Sequence, residues 1–110
     1  MKESFQASAW NNGLHRRTGG GYGIKLRLKD RDKYFDKKYN DVILYLETSP
    51  QKIIINIKKK SFWNSSRELS HSEIGLWLIA NKKAPWPKND PPSISLKYLG
   101  KNEFKATLEK

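Results

Sequence analysis

Leu69-Ser70-His71-Ser72-Glu73-Ile74-Gly75-Leu76-Trp77-Leu78-Ile79-Ala80-Asn81 is the one stretch in which several helix signals coincide. Ser70 and Glu73 have the spacing of a capping box, each side chain satisfying the other's backbone amide, and Leu69 with Ile74 makes the matching hydrophobic staple. No polar stripe interrupts Ile74 to Ala80, so the pattern predicts a helix covered on more than one side. Gly75 costs a helix interior about 1 kcal/mol relative to alanine, which makes sense if another backbone packs against it. Leu76, Trp77 and Ile79 offer nothing to base edges, which excludes a recognition helix of the helix-turn-helix kind. The segment is structural, and its surroundings read as strand or loop.

Upstream of it, Tyr22, Ile24, Leu26 and Leu28 alternate with Lys25, Arg27 and Lys29, the period of a half-buried strand with a cationic outer face. Val42 to Glu47 and Lys52 to Lys58 flank the turn Thr48-Ser49-Pro50-Gln51 and read as a hairpin. Consecutive Ile53, Ile54 and Ile55 predict a strand covered on both faces, which puts this hairpin at the centre of the sheet. Downstream of the helix, Pro85, Pro87, Pro91 and Pro92 impose a rigid extended loop around Trp86. Ser93 to Leu99 and Glu103 to Leu108 alternate again about Gly100-Lys101-Asn102, a second hairpin. Residues 1–21 show no helical or strand period. Because Trp10 carries a large apolar area and Asn11-Asn12-Gly13 is a tight-turn signal, they are expected to form an arm packed on a single barrel-like domain of residues 22–110.

The resulting order, three strands, one helix and two strands, predicts a mainly β domain with one helix. In element order alone it resembles the OB-fold, a small five-stranded half-open barrel. That resemblance implies a binding surface on the second and third strands and on the loops joining strands one to two and four to five. An α+β roll or another pseudobarrel fits the same order.

A chain of 110 residues holds one core. Its 22 Lys and Arg against 11 Asp and Glu give a formal charge of +11, which favours polyanionic partners, nucleic acid foremost. The plainer reading of the charge is solubility. Tyr34, Phe35 and Tyr39 interleaved with Arg31, Lys33, Lys37 and Lys38 match what single-stranded nucleic acid needs more than duplex does: cations along phosphates and aromatic faces for bases. Together with Arg16, Arg17, Lys25, Arg27, Lys29 and Lys101, the residues Arg31, Lys33, Tyr34, Lys37, Lys38 and Tyr39 form the candidate nucleic-acid-binding set. A competing reading has Phe35 and Tyr34 plugging one barrel end while Arg31 and Lys33 pair with Asp30, Asp32 and Asp36. A second function class, an accessory module that binds a protein partner, would use Trp10 and Trp86 as anchors. No run has the length of a membrane span or the form of a signal peptide, so a cytoplasmic location without membrane association is expected.

Residue chemistry narrows the rest. Without cysteine there is no disulfide or thiolate metal site. Asp30-x-Asp32 begins like a calcium loop, but Tyr34 and Phe35 occupy positions that need a ligand and a glycine. His15 and His71 are too few for zinc, so no metal and no cofactor is expected. Gly19-Gly20-Gly21 beside Arg16 and Arg17 has the makings of an anion nest, but no Gly-Lys-Ser or Gly-Lys-Thr follows, as a Walker loop requires. A third class, a small phosphodiesterase, would use either Asp90, Glu103 and Lys105, or His15 with Arg16, Asn11 and Asn12. No residue is assigned as catalytic.

Overall fold

The computed structural model describes residues 3–49 and 51–108. In chain order they form β1 (Ser4–Asn11), β2 (Tyr22–Lys25), α1 (Leu28–Tyr34), β3 (Asp41–Leu46), β4 (Lys52–Asn56), α2 (Lys60–Asn64), β5 (Glu68–Ser70), α3 (Ser72–Ala80), β6 (Ser93–Gly100) and β7 (Glu103–Leu108). The strands make one mixed sheet of seven in the order β4-β3-β7-β6-β1-β2-β5, nearly closed into a barrel. Neighbours are antiparallel except β3 and β7, which run parallel. The radius of gyration, 13.0 Å, is that of one compact domain of this length, about 13 Å. This is an α+β variant of the expected β barrel, with seven strands rather than five and an order that is not that of the OB-fold.

Most of the difference comes from β1. Phe5, Ala7 and Ala9 point into the core while Gln6, Ser8 and Trp10 alternate with them. Residues 4–11, expected to be irregular, therefore form an interior strand paired to β6 on one side and β2 on the other. The expected strand from Tyr22 also stops early. Leu26 still points inward, but Leu28 opens α1, a seven-residue helix that buries Asp30 and Arg31. The isoleucine hairpin is present, yet β4 is an edge rather than the centre. Ile53 and Ile55 are buried and Ile54 is 56% exposed, because successive side chains point to opposite faces and only the inner face packs on the core. Both edges suit the general avoidance of open pairing: β5 has three residues, and β4 alternates Lys52, Ile54 and Asn56 outward.

The central helix forms where the sequence places it, with a changed cap. Ser70 lies in β5 opposite Gly23, so the cap passes to His71, whose Nδ1 accepts from the Glu73 amide at 3.0 Å. Ile74, Gly75, Trp77 and Leu78 are buried, while Leu76 and Ala80 reach solvent, so the helix is covered on one broad side only. Gly75 does meet another backbone: a Cβ added there would lie 2.3 Å from the Gly19 carbonyl oxygen and 2.6 Å from Gly19 Cα. Two residues further on, the Trp77 indole donates to the Glu47 carbonyl at 2.7 Å. The helix thus touches the loop before β2 and the end of β3, tying together regions near opposite ends of the strand order.

Aromatic rings close the opposite part of the core. Phe35 stacks on Phe104 with centroids 4.5 Å apart, and Phe62 tilts against Phe35 at 5.7 Å. Tyr34 stacks on Phe5 at 4.6 Å.

Candidate functional site

The outward residues of β1 and β2 floor a groove. At one end a hollow of about 630 Å³ is lined by Gln6, Ser8, Lys25, Arg27, Arg67 and Ser93 among others. At the other, a hollow of about 490 Å³ shares Ser8 and Lys25 and continues to Trp10, His15, Trp86 and Lys88. Lys25 stands opposite Ser8 across the β1–β2 ladder, at the junction of the two. One end of the groove is therefore cationic and the other aromatic.

Arg67, the residue that completes the cationic end, is held at a cost. Its backbone is left-handed, with φ of 53°, a conformation that costs a side-chain-bearing residue on the order of 1 kcal/mol or more. Its carbonyl accepts from the Leu26 amide at 2.9 Å, continuing the β2–β5 pairing past the strand end. Its Nε is buried with no hydrogen-bond partner among the described residues. The adjacent Glu68, opposite Lys25 on β5, likewise has a buried, unpartnered Oε2. A buried polar atom without a partner destabilises by about 1–3 kcal/mol.

The aromatic end is built by the loop between β1 and β2 and by the proline-framed loop before β6. Asn11 Oδ1 accepts from the Gly13 amide at 2.8 Å and its Nδ2 donates to the Leu14 carbonyl at 3.0 Å, forming the turn that the sequence announces. The loop then brings His15 Nδ1 within 2.7 Å of the Tyr22 hydroxyl. His15 and Tyr22 meet Trp86 edge-on, at 5.0 and 5.7 Å between centroids. Burial raises the Tyr22 pKa above its ordinary value, keeping that hydroxyl protonated. Trp86 follows a cis Ala84–Pro85 bond and is half-buried, as is Trp10.

The structure divides the sequence-derived set. Lys25 and Arg27 come together in the groove. Arg31 is buried, its guanidinium donating to the Phe62 carbonyl at 2.9 Å and pairing with Asp32. Tyr34 donates to the Glu3 carboxylate, and Lys33 pairs with Glu3 at 3.1 Å. With Phe5 on one face, Tyr34 is engaged within the fold. Lys38 lies near Asp36 and over Tyr39, while the Lys37 ammonium stands 5.5 Å from the Trp63 ring centroid. Lys29 is exposed on α1 and Lys101 on the β6–β7 turn. Arg16 and Arg17 are exposed in the loop between β1 and β2, the Arg16 stem lying against Gly20.

Sequence reasoning missed Arg67 and Lys88 in the groove. Lys88 carried a signal, its place beside Pro85-Trp86-Pro87; Arg67 carried none, since only the fold carries it to Arg27. In the glycine run two amides are already engaged within the loop. The Gly19 amide donates to the Arg16 carbonyl at 3.1 Å and the Gly20 amide to Thr18 Oγ1 at 3.4 Å, and Gly19 is pressed on Gly75. Among the described residues no group of three His, Asp or Glu converges. Glu103 accepts from Tyr45 at 2.8 Å, and Asp90 precedes the far end of β6, about 20–25 Å away along the strand. No helix of the described residues is long and apolar enough to cross a membrane. No family model, curated protein or solved structure matches the chain.

Proposed function

We propose that the chain binds single-stranded nucleic acid along the groove over β1 and β2. One observation carries the reading: Lys25, Arg27 and Arg67 line a single hollow that continues into another walled by Trp10, His15 and Trp86. Cations on one side suit phosphates. Ring faces on the other suit unstacked bases, at about 1–3 kcal/mol per base. A duplex hides its base faces, so the aromatic end favours a single strand. Of the sequence-derived set, Lys25 and Arg27 hold phosphate; Arg16, Arg17, Lys29 and Lys101 add long-range attraction.

Arg67→Gly tests this reading with a built-in control. It removes the guanidinium while relieving the left-handed backbone, so oligonucleotide affinity should fall about tenfold, the loss of one charge-assisted contact, while the melting temperature holds or rises. Unchanged affinity, measured by fluorescence anisotropy with a single-stranded oligonucleotide, would remove Arg67 from the interface.

A protein partner gripping Trp10 and Trp86 is the second reading, favoured by the partial exposure of both residues along one hollow. Trp10→Ala separates the two. Base stacking requires a loss of about tenfold or more in oligonucleotide affinity, whereas a site reserved for protein requires none.

A further inference from the structure

A second cluster of lysines lies outside the groove; in the sequence Lys37 belongs to the candidate nucleic-acid set and Lys58, Lys59 and Lys60 end a strand, and the fold brings them to one hollow. Lys37, Lys58, Lys59, Lys60, Trp63 and Asn64 line an open surface hollow of about 340 Å³. The fold holds the run in place. Ile57 is fully buried, and its carbonyl accepts from the Trp63 indole at 2.9 Å. The Lys58 amide donates to Asn56 Oδ1 at 2.7 Å and to the Asn40 carbonyl at 3.2 Å. Trp63 in turn carries two cations, Arg31 and Lys37, each 5.5 Å from its ring centroid.

No carboxylate lines this hollow. Asp32 and Asp36 line the neighbouring one, beyond Lys37 and Trp63, and they pair with Arg31 and Lys38. Among the described residues Lys37, Lys58, Lys59 and Lys60 have no ion pair. Four lysines lining one hollow that no carboxylate lines concentrate positive charge there, and an anion of high charge density offsets it. A nucleic-acid backbone supplies one charge per nucleotide. A chain of directly linked phosphates supplies several charges within a few bonds, which is the closer match to four lysines around one small hollow.

We infer that this hollow binds a polyphosphate group of two or more linked phosphates, with Lys37, Lys58, Lys59 and Lys60 on its oxygens and Trp63 as the wall that positions Lys37. The group comes either from a free nucleoside triphosphate or from the triphosphate end of a nucleic acid. The inference uses none of the groove residues and stands whether or not the groove binds nucleic acid.

Calorimetric titration of the full chain with inorganic tripolyphosphate, against sodium chloride at matched ionic strength, tests it. Saturable binding should weaken by about tenfold or more in Lys58→Ser/Lys60→Ser, persist in Lys58→Arg/Lys60→Arg, and be unaffected by Lys25→Ser/Arg27→Ser. Both lysines are exposed, so folding should survive, and circular dichroism checks that it does. No binding beyond the salt control overturns the inference, as does equal weakening in the serine and groove variants, the mark of diffuse charge. Displacement of tripolyphosphate then assigns the source: a nucleoside triphosphate alone marks a free-nucleotide site, and an oligonucleotide with a terminal triphosphate but not its hydroxyl counterpart marks a chain-end site. Displacement by neither overturns the inference.

Discussion

Gly75 shows how a single hydrogen atom in place of a methyl group sets the position of a loop. In an isolated helix Gly75→Ala would add about 1 kcal/mol of stability, but here the new carbon would lie 2.3 Å from the Gly19 carbonyl oxygen. Overpacking against backbone costs about 1–3 kcal/mol, so the substitution should lower the melting temperature by several degrees, about 4–8 °C per kcal/mol in a domain this size. A rise would place the loop away from the helix. Glu3 makes a second residue-scale prediction. Hydrogen bonds from Tyr34 and Lys33, with the Lys33 charge, hold its carboxyl below the ordinary 4.5. A depressed pKa stabilises the fold above 4.5, and that contribution disappears as pH falls through the lowered value. Glu3→Gln should therefore melt slightly below the parent protein at neutral pH and with it in acid. Tyr34 and Lys33 titrate above their ordinary values of 10.0 and 10.5 because of the same carboxylate, so the advantage should also fade in alkali.

At the scale of elements, β1 carries both the fold and the groove. It is hydrogen-bonded on both sides, to β6 from Ser4 to Ser8 and to β2 from Ser8 to Asn11. Deleting residues 1–11 should abolish cooperative unfolding, seen by circular dichroism, where loss of a merely docked arm would lower the midpoint by a few degrees. The sequence hid this strand for a physical reason. Its inward positions are Phe5 and two alanines, and its one other large residue, Trp10, sits among the outward positions, so alternation of polarity is weak and β propensity is low. The three residues of β5 are too few for any period, and α1 follows an alternating run whose next apolar residue, Leu28, belongs to the helix. By contrast, the hairpins β3–β4 and β6–β7 and the helix α3 were legible because apolar spacing and turn residues agree. Of the candidate groove, Lys25 and Arg27 were legible from the alternating run that begins at Tyr22. Arg67 and Trp63 were not, since their neighbours are set by pairing between distant segments.

For the whole molecule, the charge of +11 is spread over the surface, but part of it is gathered in hollows, among them the groove over β1 and β2 and the lysine hollow beside Trp63. Spread charge gives weak attraction to any polyanion, whereas a groove gives a defined number of phosphate contacts, and the salt dependence of affinity counts them. The most direct test is the slope of log affinity against log salt for one single-stranded oligonucleotide, measured between roughly 50 and 200 mM salt on the parent chain and on Lys25→Ala/Arg27→Ala. With Lys25, Arg27, Arg67 and Lys88 on three or four phosphates, the parent slope should be about −2 to −3 and the double variant should lose about 1.4 of it, with the melting temperature unchanged. No binding at the lowest salt, or a variant whose slope equals the parent's, would contradict the account.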